Sequence, residues 1–234
     1  MAIDTNAFPT KSDLGRFVEM QIDRFAVNIA RAYGLVEIYG LTFLMRNSTS
    51  ANEKAEHPSI EVNFSDILRA AVVLVHATLE DFLRSMAATL LPFADEATLN
   101  TIPLAGTGHL GRAEKFLLGR LAAHRGKTIL DLIKESVDDY LTTTTYNDTT
   151  QISALLVSLE VDIEKVRYLF PKLDEVIKRR HQIVHRADRI FPKLDALEQV
   201  ESLTADQVKE WISAVQEFIT KSVTSVAIRT AQSK

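Results

Sequence analysis

Apolar residues recur along most of the chain at the three-and-four spacing of helices rather than the alternation of strands. Phe17, Met20, Phe25, Ile29 and Tyr33 follow this period from near Asp13 to about Arg46, with Ser12 placed to cap the start. Gly34 and Gly40 weaken the case for one unbroken rod. The polar run Asn47–Pro58 predicts a loop. From Asn63 or Ser65 the period resumes. Ile67, Leu68, Val72, Val75, Leu79, Phe82, Leu83 and Met86 make an apolar face wide enough for a central helix, and Pro92 ends it near Leu91.

The middle of the chain is less regular. Asp95–Asn100 predicts one short helical turn, and Gly106–Gly111 a loop before a helix at Arg112–Leu121. A helix is expected over Thr128–Leu141, then a Thr-rich loop through Asp148, then shorter helices at Ile152–Leu159 and Ile163–Leu169. Pro171 suits the first turn of the next helix, whose stripe is Leu173, Val176, Ile177, Val184 and Ala187. Pro192 stops this helix or its successor. Thr204 and Gln207 resemble a capping box for a last helix reaching about Ile228, burying Val208, Ile212, Val215, Ile219 and Val223. The expected class is all-α: a bundle of long antiparallel helices with extra short ones. No internal repeat or long linker divides residues 1–234, so one domain is expected.

Composition narrows the chemistry. The chain has 234 residues, only 8 Gly and 6 Pro, and no Cys. Disulfides, thiolate zinc sites and cysteine nucleophiles are excluded. Met1–Ser12 lacks the zones of a signal peptide, and the longest apolar stretches, Ala70–Val75 and Leu35–Leu44, are too short to span a bilayer. A cytoplasmic protein without membrane contact is expected. The formal net charge of −4 means that any nucleic acid must meet a local positive patch.

Such a patch exists at Lys178–Arg189, where Lys178, Arg179, Arg180, Arg186 and Arg189 are basic and only Asp188 is acidic. Arg180 falls between Ile177 and Val184 on the apolar stripe, a costly place for a charge unless it is paired or lines a cavity. A spacing of five sets Arg180 and His185 about 140° apart around a helix. Either Arg180 curls round, or a second copy of the helix supplies the partner group in a two-fold dimer. Such a cleft suits cleavage of an RNA phosphodiester. A neutral His185 takes the proton of the ribose 2′-hydroxyl, and Arg180 holds the phosphate and its developing charge. The products would be a 2′,3′-cyclic phosphate and a 5′-hydroxyl. No metal or other cofactor is called for, and DNA lacks the required hydroxyl.

Arg180-His181-x-x-x-His185 resembles the R-(polar)-x-x-x-H signature of HEPN domains, in the setting of the RiboL-PSP-HEPN-like branch. The motif stands late in a helix after the apolar-periodic run Phe170–Ile177, and the earlier segment His76–Leu83 is of a kind often carried by such domains. The likeness runs from about Phe64 to the last helix. It implies an all-α bundle and a homodimer through the Pro171–Asp188 helix. It also implies metal-independent endoribonuclease activity, often of a toxin or defence effector with an antitoxin partner. Arg180 and His185 would be catalytic, and His181 would hold the polar position, most often Asn in the family. Lys178, Arg179, Arg186 and Arg189 would contact RNA. Some members keep the fold and bind RNA, nucleotide or protein without cleavage.

Plainer readings stand beside these. A basic helix end favours the helix dipole without any further role. His181 and His185, four apart, share a face and could ligate zinc, but no third ligand is spaced to join them. Gly106–Gly111 reads as an ordinary connection, since it lacks a P-loop's Lys-Ser/Thr. Glu80 and Asp81 read as surface or capping groups, and Trp211 as packing. His57, His76 and His124 show no partner pattern.

Overall fold

The computed structural model describes residues 11–48, 64–105, 118–189 and 200–232. Seven α-helices lie among them: α1 (Lys11–Ser48), α2 (Ser65–Leu90), α3 (Glu96–Leu99), α4 (Ile129–Thr143), α5 (Thr149–Ser158), α6 (Phe170–Arg186) and α7 (Ala205–Gln232). The described residues contain no β-strand; an isolated bridge joins Arg189 and Val200.

The wide apolar face of α2 has the consequence its width predicts: this helix packs against α1, α4, α6 and α7. Leu68, Val72, Val75, Leu79, Phe82, Leu83 and Met86 are all buried. Helix α1 runs antiparallel to it, with Phe25 against Phe82 while Arg31 and Leu74 share a groove nearer the other end. Helices α6 and α7 are antiparallel too, since Tyr168 bonds Glu217 while Glu175 accepts from Trp211 Nε1 at 2.9 Å. Trp211 is therefore a packing residue, and Val208, Ile212, Val215, Ile219 and Val223 are buried as expected.

Several expectations need correction. Helix α1 is continuous through Gly34 and Gly40, but Met20 is exposed; Phe25, Ile29, Ala32 and Val36 carry its buried stripe. Helix α2 does begin at Ser65, whose hydroxyl accepts a hydrogen bond from Arg69. Asp148 caps α5, which starts three residues before Ile152. Ile163–Leu169 forms two 3₁₀ turns rather than an α-helix. Leu118–His124 is likewise 3₁₀. The Gly106–Gly111 loop, the first part of the Arg112–Leu121 helix, His57 and Pro192 lie outside the described residues.

The stripe of α6 also changes course. Leu173, Val176 and Ile177 are buried, but Val184 is 48 % exposed and Ala187 is exposed. The buried track turns instead through Arg179, because the last turns of α6 leave the apolar core and meet a buried carboxylate, Asp188.

Candidate functional site

Helix α6 sets its basic residues on different sides. Arg179 points inward and is 6 % exposed. Its guanidinium bonds Asp188 Oδ2 at 2.8 Å, Glu201 Oε2 at 2.8 Å and the Glu201 carbonyl at 2.8 Å. Arg69, from the first turns of α2, reaches the same Asp188 oxygen at 2.6 Å. Asp188 is fully buried between the two cations. The expectation that Arg179 contacts RNA is corrected here: both of its terminal nitrogens bind internal acceptors, and it faces away from solvent.

Arg180, one residue on and about 100° around the helix, turns the other way. It is half-buried and lines a cleft of about 230 Å³ with His76, Asn147, Ile177, Lys178, His181, Gln182 and Arg186. No ion pair holds Arg180 among the described residues. Lys178, His181 and Arg186 are exposed at the rim. Arg189 is exposed beyond the end of α6, on the short bridge to Val200. His185 is exposed and does not line the cleft. Its ring lies against that of His181, with centroids 4.5 Å apart. The i,i+4 spacing of the two histidines brings them together, while Arg180 and His185 sit on different sides of the helix, as their spacing requires. Among the described residues no three His, Asp or Glu gather within reach of one metal ion.

The cleft has a floor that sequence reasoning missed. His76 is 2 % exposed, on the stripe of α2 between Val72 and Leu79. Burial first, and then the charge of Arg180, push its imidazole down to about 4; Glu80 pulls weakly the other way. His76 is therefore neutral at neutral pH. The Oε2 atom of Glu80 lies 4.0 Å from its Nδ1. Glu80 also accepts from Arg84 at 3.0 Å, and Arg84 in turn donates to the carbonyls of Leu141 and Thr144, the latter at 2.6 Å. Those carbonyls, in the last turn of α4 and at its C-cap, lead into the loop that carries Asn147. The far side of the loop is tied down by Asn147 N–H to Gln151 at 2.7 Å and by the Thr149 hydroxyl to Asp174 of α6 at 3.0 Å. The signal in the sequence was a histidine on an otherwise apolar face with a carboxylate four residues later. Asn147 gave none, since a loop Asn is ordinary.

A cleft that combines a guanidinium, a neutral imidazole, an amide and a cationic rim offers donors to an anion and a lone pair to a hydroxyl. The RiboL-PSP-HEPN family model matches residues 46–227, and the chain belongs to that family. The match includes α2, the loop with Asn147 and all of α6. No curated protein and no solved structure matches the chain. Membership points to an RNase-like or nucleotide-binding helical module. No helix among the described residues is long and apolar enough to cross a membrane.

Proposed function

We propose that this chain is a metal-independent endoribonuclease that works as a homodimer, in the role of a toxin or defence effector. One observation carries the reading: Arg180 and His181 of the motif line a single cleft, and the His185 ring rests on His181. Arg180 would take the phosphodiester through its planar fork and stabilise the charge that develops on it. His185 supplies imidazole for proton transfer, with His181 beside it. Lys178, Arg186 and Arg189, all exposed, would steer the RNA backbone; Arg179 has no part in this. Attack by the 2′-oxygen on phosphorus needs proton transfers that imidazole performs, so the scheme calls for no metal.

His185 stands outside the cleft of its own protomer, and this favours a composite site. Pairing two copies through the Pro171–Asp188 helix would bring His185 of one protomer toward Arg180 of the other. The exposed Val184 gives that face an apolar centre. A small antitoxin protein would be the natural inhibitor of such a site. The same position of His185 also favours a second reading, a module that binds RNA or nucleotide without cutting it.

Incubating purified protein with a structured RNA in excess chelator separates the two. The ribonuclease reading expects cleavage by the wild type, a loss of at least about 100-fold in His185→Ala, and an unchanged melting curve for the variant. Binding without cleavage, abolished in Arg180→Ala, would instead establish the module.

A further inference from the structure

Transesterification of RNA moves two protons: one leaves the 2′-hydroxyl and one is delivered to the departing 5′-oxygen. A single imidazole holds one proton position at a time for this work, so the step is best served by two histidines in opposite protonation states. The motif supplies a histidine pair on the outer face of α6, at the rim and outside the cleft. The cleft itself contains another imidazole, on a different helix.

We propose that His76 is a further catalytic residue, the group that accepts the 2′-hydroxyl proton from a ribose–phosphate seated on Arg180, an assignment that rests on the ribonuclease reading above. The geometry supports it in three ways. His76 lines the same cleft as Arg180, from the opposite helix. Its Nδ1 is the nitrogen on the Glu80 side, with Oε2 at 4.0 Å, beyond hydrogen-bond length, and Nε2 is the nitrogen left for a substrate. The imidazole makes no hydrogen bond among the described residues, although it is all but sealed from solvent. A substrate hydroxyl would therefore meet a ring nitrogen without displacing an internal partner.

The charges around His76 make it substrate-responsive. Helix α6 presents Lys178, Arg180, His181 and Arg186 to the cleft; Glu80 lies behind on α2 itself; the loop before α5 adds the neutral Asn147; among the described residues, α1, α4 and α7 contribute nothing to the lining. In the empty cleft Arg180 opposes protonation. A phosphodiester on Arg180 offsets that charge, so the imidazole gains basicity as the substrate seats. The step balances within the site. The 2′-hydroxyl proton goes to His76 Nε2, and the 2′-oxygen bonds phosphorus. The bond from phosphorus to the 5′-oxygen breaks, and that oxygen takes a proton from an imidazolium of the His181–His185 pair.

The test compares wild type with His76→Gln on an RNA oligonucleotide, and on its 2′-deoxy-substituted counterpart as a binding probe. The expected result is a fall in kcat of at least about 100-fold with binding of the probe within about threefold. The acidic limb of the kcat/KM profile should disappear, a change that loss of packing alone would not make. Should H76Q fail to bind the probe or to melt cooperatively, Glu80→Gln takes its place. It keeps the imidazole, and a fall in kcat of about tenfold with little change in KM is expected. An active wild type with cleavage by H76Q within about threefold, or by E80Q where that replaces it, overturns this assignment alone. A wild type that binds RNA and leaves it intact overturns the ribonuclease reading, and the assignment falls with it.

Discussion

Arg179 and Arg180 show how one residue of register decides a side chain's occupation. Both are arginines on one helix; the first closes an internal ion cluster and the second lines a cleft. Charge counting along the sequence found the basic patch but could not sort these two, because the sorting depends on where Asp188 and Glu201 return to α6. His76 was missed for the opposite reason. Its pattern is that of a core residue, and its partner Arg180 lies about a hundred positions away in the chain. Its burial has a consequence for acid stability. The folded-state value, about 4, lies below the ordinary 6.5, so the unfolded chain binds more protons between these limits. The stability from keeping His76 neutral is complete above pH 6.5 and is lost as the pH falls toward 4. The full amount is about 3 kcal/mol. Urea unfolding of His76→Gln across that window should show a flatter pH dependence than the wild type. An identical slope would mean that His76 does not contribute.

At the scale of elements, the end of α6 matters most. Ala187 and Asp188 both adopt left-handed backbone, with φ of 49° and 61°. Neither is glycine, so the turn costs energy that must be offset locally. The offset is the clamp of Arg69 and Arg179 on Asp188, which joins the first turns of α2 to the last turn of α6 and so fixes His185 relative to the cleft. Asp188→Asn keeps the shape and tolerates the left-handed turn, yet leaves two buried guanidiniums without the buried carboxylate they share, with only the more exposed Glu201 and Asp66 as anionic partners. A loss of about 3–5 kcal/mol is expected by urea unfolding. A loss under about 1 kcal/mol would show that the clamp is dispensable.

The helices themselves were legible because apolar period and breakers act locally: Pro92, Pro171 and the Thr204 cap fall at or within a few residues of real ends. The short 3₁₀ turns and the outward swing of α6 were not legible. They follow from what the segment packs against, and Val184 looks like a core residue in any linear reading.

Across the whole molecule, α2 is the organising element, and α6 supplies most of the cleft lining. The family match over residues 46–227 spans both. The proposed dimer would place its two-fold axis beside α6, where Val184 is exposed among His181, His185 and Arg186. Val184→Glu would set two like charges against each other across that axis. Light scattering should then find a dimer for the wild type and a folded monomer for the variant, with cleavage reduced at least about tenfold. A wild type that stays monomeric with RNA bound would remove the composite site.

The most direct test of the central claim reads the ends of the cleaved RNA. A guanidinium-held phosphodiester attacked by its own 2′-oxygen must leave a 2′,3′-cyclic phosphate and a 5′-hydroxyl, and a single 2′-deoxy substitution at the cut site must abolish that cut. Cleavage that persists at the deoxy position, or that leaves a 5′-phosphate, would contradict the account.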